Sequence, residues 1–305
     1  MTRPGLFQWS ILLTLGMIWG ASFLGVEKAL ESFAPVSVAA IRIAVAAVIL
    51  TIASYLMGSG LPNWRTRTGR RIWLFAFGMG LFSNAIPFTL LSWGQQHVTS
   101  GYAGITMAVV PLLVLPLSHF LIPGMRLTRI KMLGFSIGFV GVVVLIGPGK
   151  ILESGGGDTE NIARIACVIA SCCYAIGSVL TRLAPRGDAM AFSAAALIMG
   201  TLVALPVALV TDGLPPSPTL PALLGQLYLG IFPTALATIM LVYLVKTAGP
   251  PFLSLVNYQV PVWAVIIGMV VLDEALPGQF IWALGLILLG LAISQARLPR
   301  AKPAP

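Results

Sequence analysis

Over 305 residues the chain is 58% hydrophobic and 9% charged, with a mean hydropathy of +0.97. Ordinary globular chains carry about 25% charge, so a soluble domain is excluded. The formal net charge of +9 would suit nucleic acid, but the basic residues sit in short loops between apolar stretches. That placement points to lipid headgroups, and no nucleic-acid partner is expected.

Ten apolar stretches predict membrane-spanning helices, since crossing a core of about 30 Å takes about 20 helical residues. They fall at 8–26, 36–57, 72–93, 99–121, 130–147, 163–181, 189–211, 222–244, 250–271 and 276–294. The first follows a weakly basic N-terminus, yet its apolar run from Trp9 to Val26 is long for a signal peptide and reads as a retained helix. It carries Trp19, and Gly16 and Gly20 at a spacing that lets helices approach closely. The second holds Arg42 about two turns in. This side chain either clasps Glu27 or Glu31 at the helix ends or faces a cavity and meets a carboxylate. In the third, Asn84 lies three residues before Pro87, where a proline frees a backbone carbonyl. The amide either bonds a neighbouring helix or contacts substrate. The fourth brings Tyr102, Met107 and Pro111, with His119 near its end as an interfacial residue.

A hydrophilic linker, Lys150–Glu160 with Gly155, Gly156 and Gly157, divides the chain into five spans on each side. The sixth span contains Tyr174 and all three cysteines, Cys167, Cys172 and Cys173, without metal-ligand spacing or a disulfide framework. The ninth contains Asn257, Tyr258 and Gln259 followed by Pro261, the most polar run at membrane depth. Successive residues point about 100° apart on a helix, so at least one of the three packs against a neighbour.

Fourteen of the eighteen Lys and Arg fall in loops or at span ends on the N-terminal side, against Lys28, Lys150 and Arg164 on the other. The positive-inside rule then sets both termini in the cytoplasm. Asp188 is the one acidic residue on the inner side. No Asp or Glu lies in the middle of a span, so a proton relay of the usual carboxylate kind is not expected. Walker, hydrolase, metalloprotease and kinase signatures are missing, so no enzyme activity, metal or cofactor is expected.

The halves are related. A shift of 150 sets Gly80-Leu81-Phe82 on Gly230-Ile231-Phe232, Asn84 on Thr234, Trp93 on Tyr243 and Pro111 on Pro261; a shift of 155 sets Trp19 on Tyr174. Five spans per half is odd, so the second half is inverted. The expected architecture is an all-α polytopic membrane protein of ten transmembrane helices, built as two inverted five-helix repeats, 1–150 and 151–305, around a central cavity.

At these residues the chain resembles the EamA family of the drug/metabolite transporter superfamily. Trp19-Gly20-Ala21-Ser22-Phe23 resembles the first-helix signature of that family, and Arg42 its second-helix arginine. The stretch Cys173 to Leu180 is similar to the start of the second repeat, and Pro261 to Gly285, with Asp273-Glu274, to the repeat-closing pattern. One departure is Pro123-Gly124-Met125-Arg126, where the family has a Glu after the fourth helix. The resemblance implies export of small metabolites from the cytoplasm of a bacterial cell across its inner membrane. Within the family the chain is most similar to exporters of aromatic and other large neutral amino acids. The alternative is export of another small metabolite or of a lipophilic or cationic drug. The expected substrate contacts are Trp19, Arg42, Asn84, Tyr102, Tyr174, Asn257, Tyr258 and Gln259. The protein is expected to act as a monomer by alternating access, with Pro87, Pro111 and Pro261 as flexing points.

Overall fold

The apolar runs form helices because a backbone in hydrocarbon must satisfy its own N–H and C=O groups. The computed structural model describes residues 4–125, 127–147, 158–213 and 217–295. The triple-glycine part of the linker, the basic termini and Arg126 lie outside them. Among the described residues every regular element is helical, and nine helices are long and apolar enough to span a bilayer.

With one shorter apolar helix, the ninth, these are in chain order α1 (Leu6–Leu30), α2 (Pro35–Leu56), α3 (Arg67–Gly94), α4 (Ser100–Leu121), α5 (Arg129–Ile146), α6 (Asp158–Leu183), α7 (Ala189–Thr211), α8 (Leu220–Thr247), α9 (Val256–Val271) and α10 (Gly278–Gln295). Thr66, Thr99 and Thr219 cap α3, α4 and α8 by accepting a backbone N–H three residues on. Such side chains satisfy N–H groups that no helical carbonyl can reach.

Two expected spans are interrupted. Ala108 and Val109 form a turn inside α4, directly before Val110 and Pro111. The expected span 250–271 is a single turn, Pro250–Leu253, then a break at Ser254 and Leu255, then α9. Two others start early: α3 and α6 each begin five residues before the expected apolar run, because polar N-terminal turns extend them beyond it.

The helices pair in a pattern that maps onto itself when helix numbers shift by five. α1 packs on α9 and α8, while α6 packs on α4 and α3; α3 meets α7, while α8 meets α2; α2 meets α7 and α5 meets α10. Small residues allow the closest of these contacts. A Cβ on Gly134 of α5 would stand 2.5 Å from the Gly290 carbonyl of α10, so this crossing is backbone on backbone. The bundle is wrapped in large apolar side chains such as Leu13, Val48, Phe120, Val210 and Val270, exposed by 52%, 60%, 80%, 86% and 74%. In water such a surface would aggregate; in lipid it is the ordinary outer face.

Loops tie the two ends. At the end that carries Gly5, called the near end here, Lys246 pairs with Asp188 at 3.3 Å, and Phe7 and Trp9 set their rings edge-on against Tyr243 and Phe252. At the far end Asp212 accepts from the backbone N–H and hydroxyl of Ser37, both at 2.8 Å. Glu274 accepts from the Ser100 and Gly101 N–H groups at 2.7 and 3.0 Å. Carboxylates thus sit at helix N-termini, where the helix dipole favours them.

Candidate substrate site

The two largest apolar cores are centred one on α1, α4, α5, α9 and α10 and one on α2, α7 and their neighbours; Tyr174 and Leu241 touch both. Between the cores lies a cavity of about 360 Å³, large enough for a small metabolite. Its walls come from α1 (Trp19, Ser22, Phe23, Val26), α2 (Arg42), α3 (Met79, Ser83, Asn84, Phe88, Leu91, Gln95), α4 (Met107, Val110), α6 (Tyr174, Ser178), α8 (Pro233, Thr234, Thr238, Leu241) and α9 (Asn257, Val260).

The polar part of the wall is built by a local departure from α-geometry. Both α3 and α8 widen to a π-helix in mid-span, over Leu81–Ala85 and Ile231–Leu236, directly after Gly80 and Gly230. A π turn bonds five residues back and leaves backbone groups unpaired, a feature frequent at functional sites. Asn84 Nδ2 donates to the Met79 carbonyl at 3.3 Å and Thr234 Oγ1 to the Leu229 carbonyl at 2.8 Å. In each helix the polar side chain reaches the carbonyl five positions before it. The Pro233 carbonyl in turn accepts from Trp19 Nε1 at 3.0 Å, which fixes that ring in the cavity wall.

Arg42 is 7% exposed. Its Nε donates to Thr234 Oγ1 at 2.8 Å, and the guanidinium carbon stands 3.8 Å from the centre of the Phe88 ring. It clasps neither Glu27 nor Glu31: Glu31 pairs with Lys28. Among the described residues no carboxylate lines the cavity, and Nε alone of the guanidinium nitrogens has a hydrogen-bond partner. A buried cation is costly without an anion to meet it. The arrangement fits a ligand that brings one.

Of the eight expected contacts, Trp19, Arg42, Asn84, Tyr174 and Asn257 line this cavity. Tyr102 does not. It is 1% exposed, lies edge-on to Phe280 and lines a second cavity at the far end. Tyr258 packs against the larger core. Gln259 lies against Gly16 of α1, where a Cβ would come 2.7 Å from its Oε1. The break at Ser254 and Leu255 explains the division. It sets the three polar residues in the opening turns of α9, where helical rotation aims only Asn257 inward.

Sequence reasoning passed over Thr234 as a contact, although the shift of 150 from Asn84 named its position. It also passed over Ser83, Phe88, Gln95, Ser178 and Thr238, which carry no local signature. Arg164, counted among the outer-side charges, is buried within α6 with 5% of its side chain exposed, paired with Glu160 and donating to the Ile146 carbonyl. The Glu160/Arg164 spacing of four was its signal.

Ten apolar helices, an apolar outer surface and a cavity between the helices are the features of a membrane transporter. The sequence profile of the EamA-like transporter family matches residues 8–147 and again 161–295, and the chain belongs to that family. It is 27% identical over 287 residues to the uncharacterized inner membrane transporter YedA of Escherichia coli, covering 92% of this chain and 88% of that one. It is 28% identical to the protein PecM of Dickeya dadantii, covering 94% and 93%. With the probable terminal-alkyne amino-acid exporter of Streptantibioticus cattleyicolor it shares 25%, covering 88% and 86%. A solved crystal structure superposes with a TM-score of 0.66 at 21% identity over 93% of this chain and 95% of that one, a likeness of fold. YedA and the alkyne amino-acid exporter are named as transporters, not enzymes, and the family implies a small-molecule substrate and a lipid environment.

Proposed function

We propose that the protein exports amino acids, aromatic and other large neutral ones, from the cytoplasm across a bacterial inner membrane. It works as a monomer with both termini in the cytoplasm, by alternating access between two inverted five-helix repeats, 1–150 and 151–305. The observation that carries this reading is Arg42. A zwitterion's carboxylate satisfies its free guanidinium nitrogens as a planar, charge-assisted pair, while Asn84, Ser83 and Asn257 offer neutral groups to the rest of the headgroup. Trp19, Phe88, Tyr174 and Met107 supply apolar surface for a large side chain. A cationic drug is disfavoured, because the cavity presents a cation and no carboxylate. The amino-acid exporter among the relatives supports the substrate class, and the five-shifted helix pairing supports the two-repeat mechanism.

The test is uptake of labelled Phe, Trp, Thr and Met by proteoliposomes, with and without a pH gradient. Saturable uptake without a gradient is expected, since no carboxylate lines the cavity. No uptake by folded, inserted protein would overturn the amino-acid reading.

A further inference from the structure

Beyond the central cavity, toward the far end, lies a vestibule of about 480 Å³. Among the described residues, Gln95 alone lines both spaces. It is 5% exposed, and its two ends are treated differently. Nε2 donates to the Phe23 carbonyl at 3.0 Å, tying α3 to α1. Oε1 is buried and has no hydrogen-bond partner among the described residues. Buried acceptors are nearly always paired, so an orphan one between two chambers points to a donor that arrives and leaves.

The charges around it are ordered along the path. The central cavity holds a cation, Arg42, and no carboxylate. In the vestibule Glu274 is engaged by the Ser100 and Gly101 N–H groups and Glu160 by Arg164. The Glu27 carboxylate, in contrast, makes no hydrogen bond among the described residues while lining the same space. The acceptors that are open thus lie on the far side of the fixed cation. We propose that Gln95 Oε1 receives the substrate's ammonium as it passes from cavity to vestibule, with Glu27 as the next acceptor outward. The amino acid then travels ammonium first, its carboxylate leaving Arg42 last. This assignment rests on the amino-acid reading above.

Equilibrium binding of labelled phenylalanine and of labelled 3-phenylpropionate, which lacks only the ammonium, separates the two ideas. With Gln95→Met the Kd for phenylalanine is expected to rise about tenfold and that for 3-phenylpropionate to stay unchanged. Gln95→Glu keeps acceptor oxygens but loses the donor to Phe23, and should hold phenylalanine at least as well as wild type. Equal losses for both ligands in both variants would reduce Gln95 to an α1–α3 tie and overturn the proposal alone. Wild-type protein that binds 3-phenylpropionate but not phenylalanine would overturn the amino-acid reading and this inference together.

Discussion

Arg42 sits where stability and function pull in opposite directions. Its burial costs solvation that Thr234 and Phe88 return only in part, a cation–π contact being worth about 2 kcal/mol when desolvated. Arg42→Met should therefore raise the melting temperature of the purified protein while cutting transport at least about tenfold, read by uptake per inserted molecule. Arg42→Lys should not rescue it, because an ammonium loses both the planar fork and the ring stacking. A variant that loses melting temperature and transport together would make Arg42 a structural anchor after all. The polar run in α9 offers a second contrast. Asn257→Ala should weaken substrate binding at unchanged membrane abundance, whereas Gln259→Ala, against Gly16, should alter abundance or melting with little change in KM. At the near end, burial opposes ionisation of Asp188, but the Ala191 N–H, Ser59 and Lys246 together hold its carboxyl below the ordinary value of 3.8. A depressed carboxylate adds stability above its unfolded pKa, and that stability is lost as pH falls through the folded one. Asp188→Ala also removes a helix cap worth about 1 kcal/mol. Its melting deficit at pH 7 should accordingly shrink in acid below pH 4, as followed by thermal denaturation across pH.

At the scale of the helix, the π turns of α3 and α8 decide where polarity can exist in the membrane. Thr234→Val removes both the partner of Arg42 and the hydroxyl that closes on Leu229, so it should damage transport more than Thr238→Val, which leaves both in place. Crossings of small residues set the other limit. Gly290→Val on α10 would drive a side chain into the Gly134 carbonyl, and overpacking of this kind costs about 1–3 kcal/mol; a lowered melting temperature checks it. The spans were legible because hydropathy reports directly on the bilayer. The Gly80/Gly230 correspondence was legible too, but not its meaning. A π turn differs from an α turn by one residue of hydrogen-bond register, which no hydropathy pattern records. The break before α9 was hidden for a related reason, since Ser254 and Leu255 are unremarkable within an apolar run. Gln95 and Ser178 were illegible altogether, because their importance lies in which helices meet beside them.

In the whole molecule, the Phe7–Tyr243 and Trp9–Phe252 ring contacts tie α1 to α8 and to the turn before α9 at the near end, while the far end holds an open vestibule. Weakening those contacts with Trp9→Ala and Tyr243→Ala should favour the opposite opening. In a background lacking Cys167, Cys172 and Cys173, a Ser83→Cys probe in the cavity should then react faster with a thiol reagent supplied from the near side. Unchanged labelling would mean that the rings are packing only. Arg42 has a further electrical consequence. Among the described residues it is the single cation on the cavity wall, fixed to a helix, so any displacement of α2 along the membrane normal moves charge through the transmembrane field. That field is worth about 2.3 kcal/mol per charge per 100 mV across the full depth. A bound zwitterion adds no net charge, so the loaded and the empty passages carry the same charge in opposite directions: each step feels the field, although a complete cycle moves none. Transport by this protein should then depend on membrane potential even for a substrate with no net charge, measurable as uptake under imposed potassium diffusion potentials of either sign.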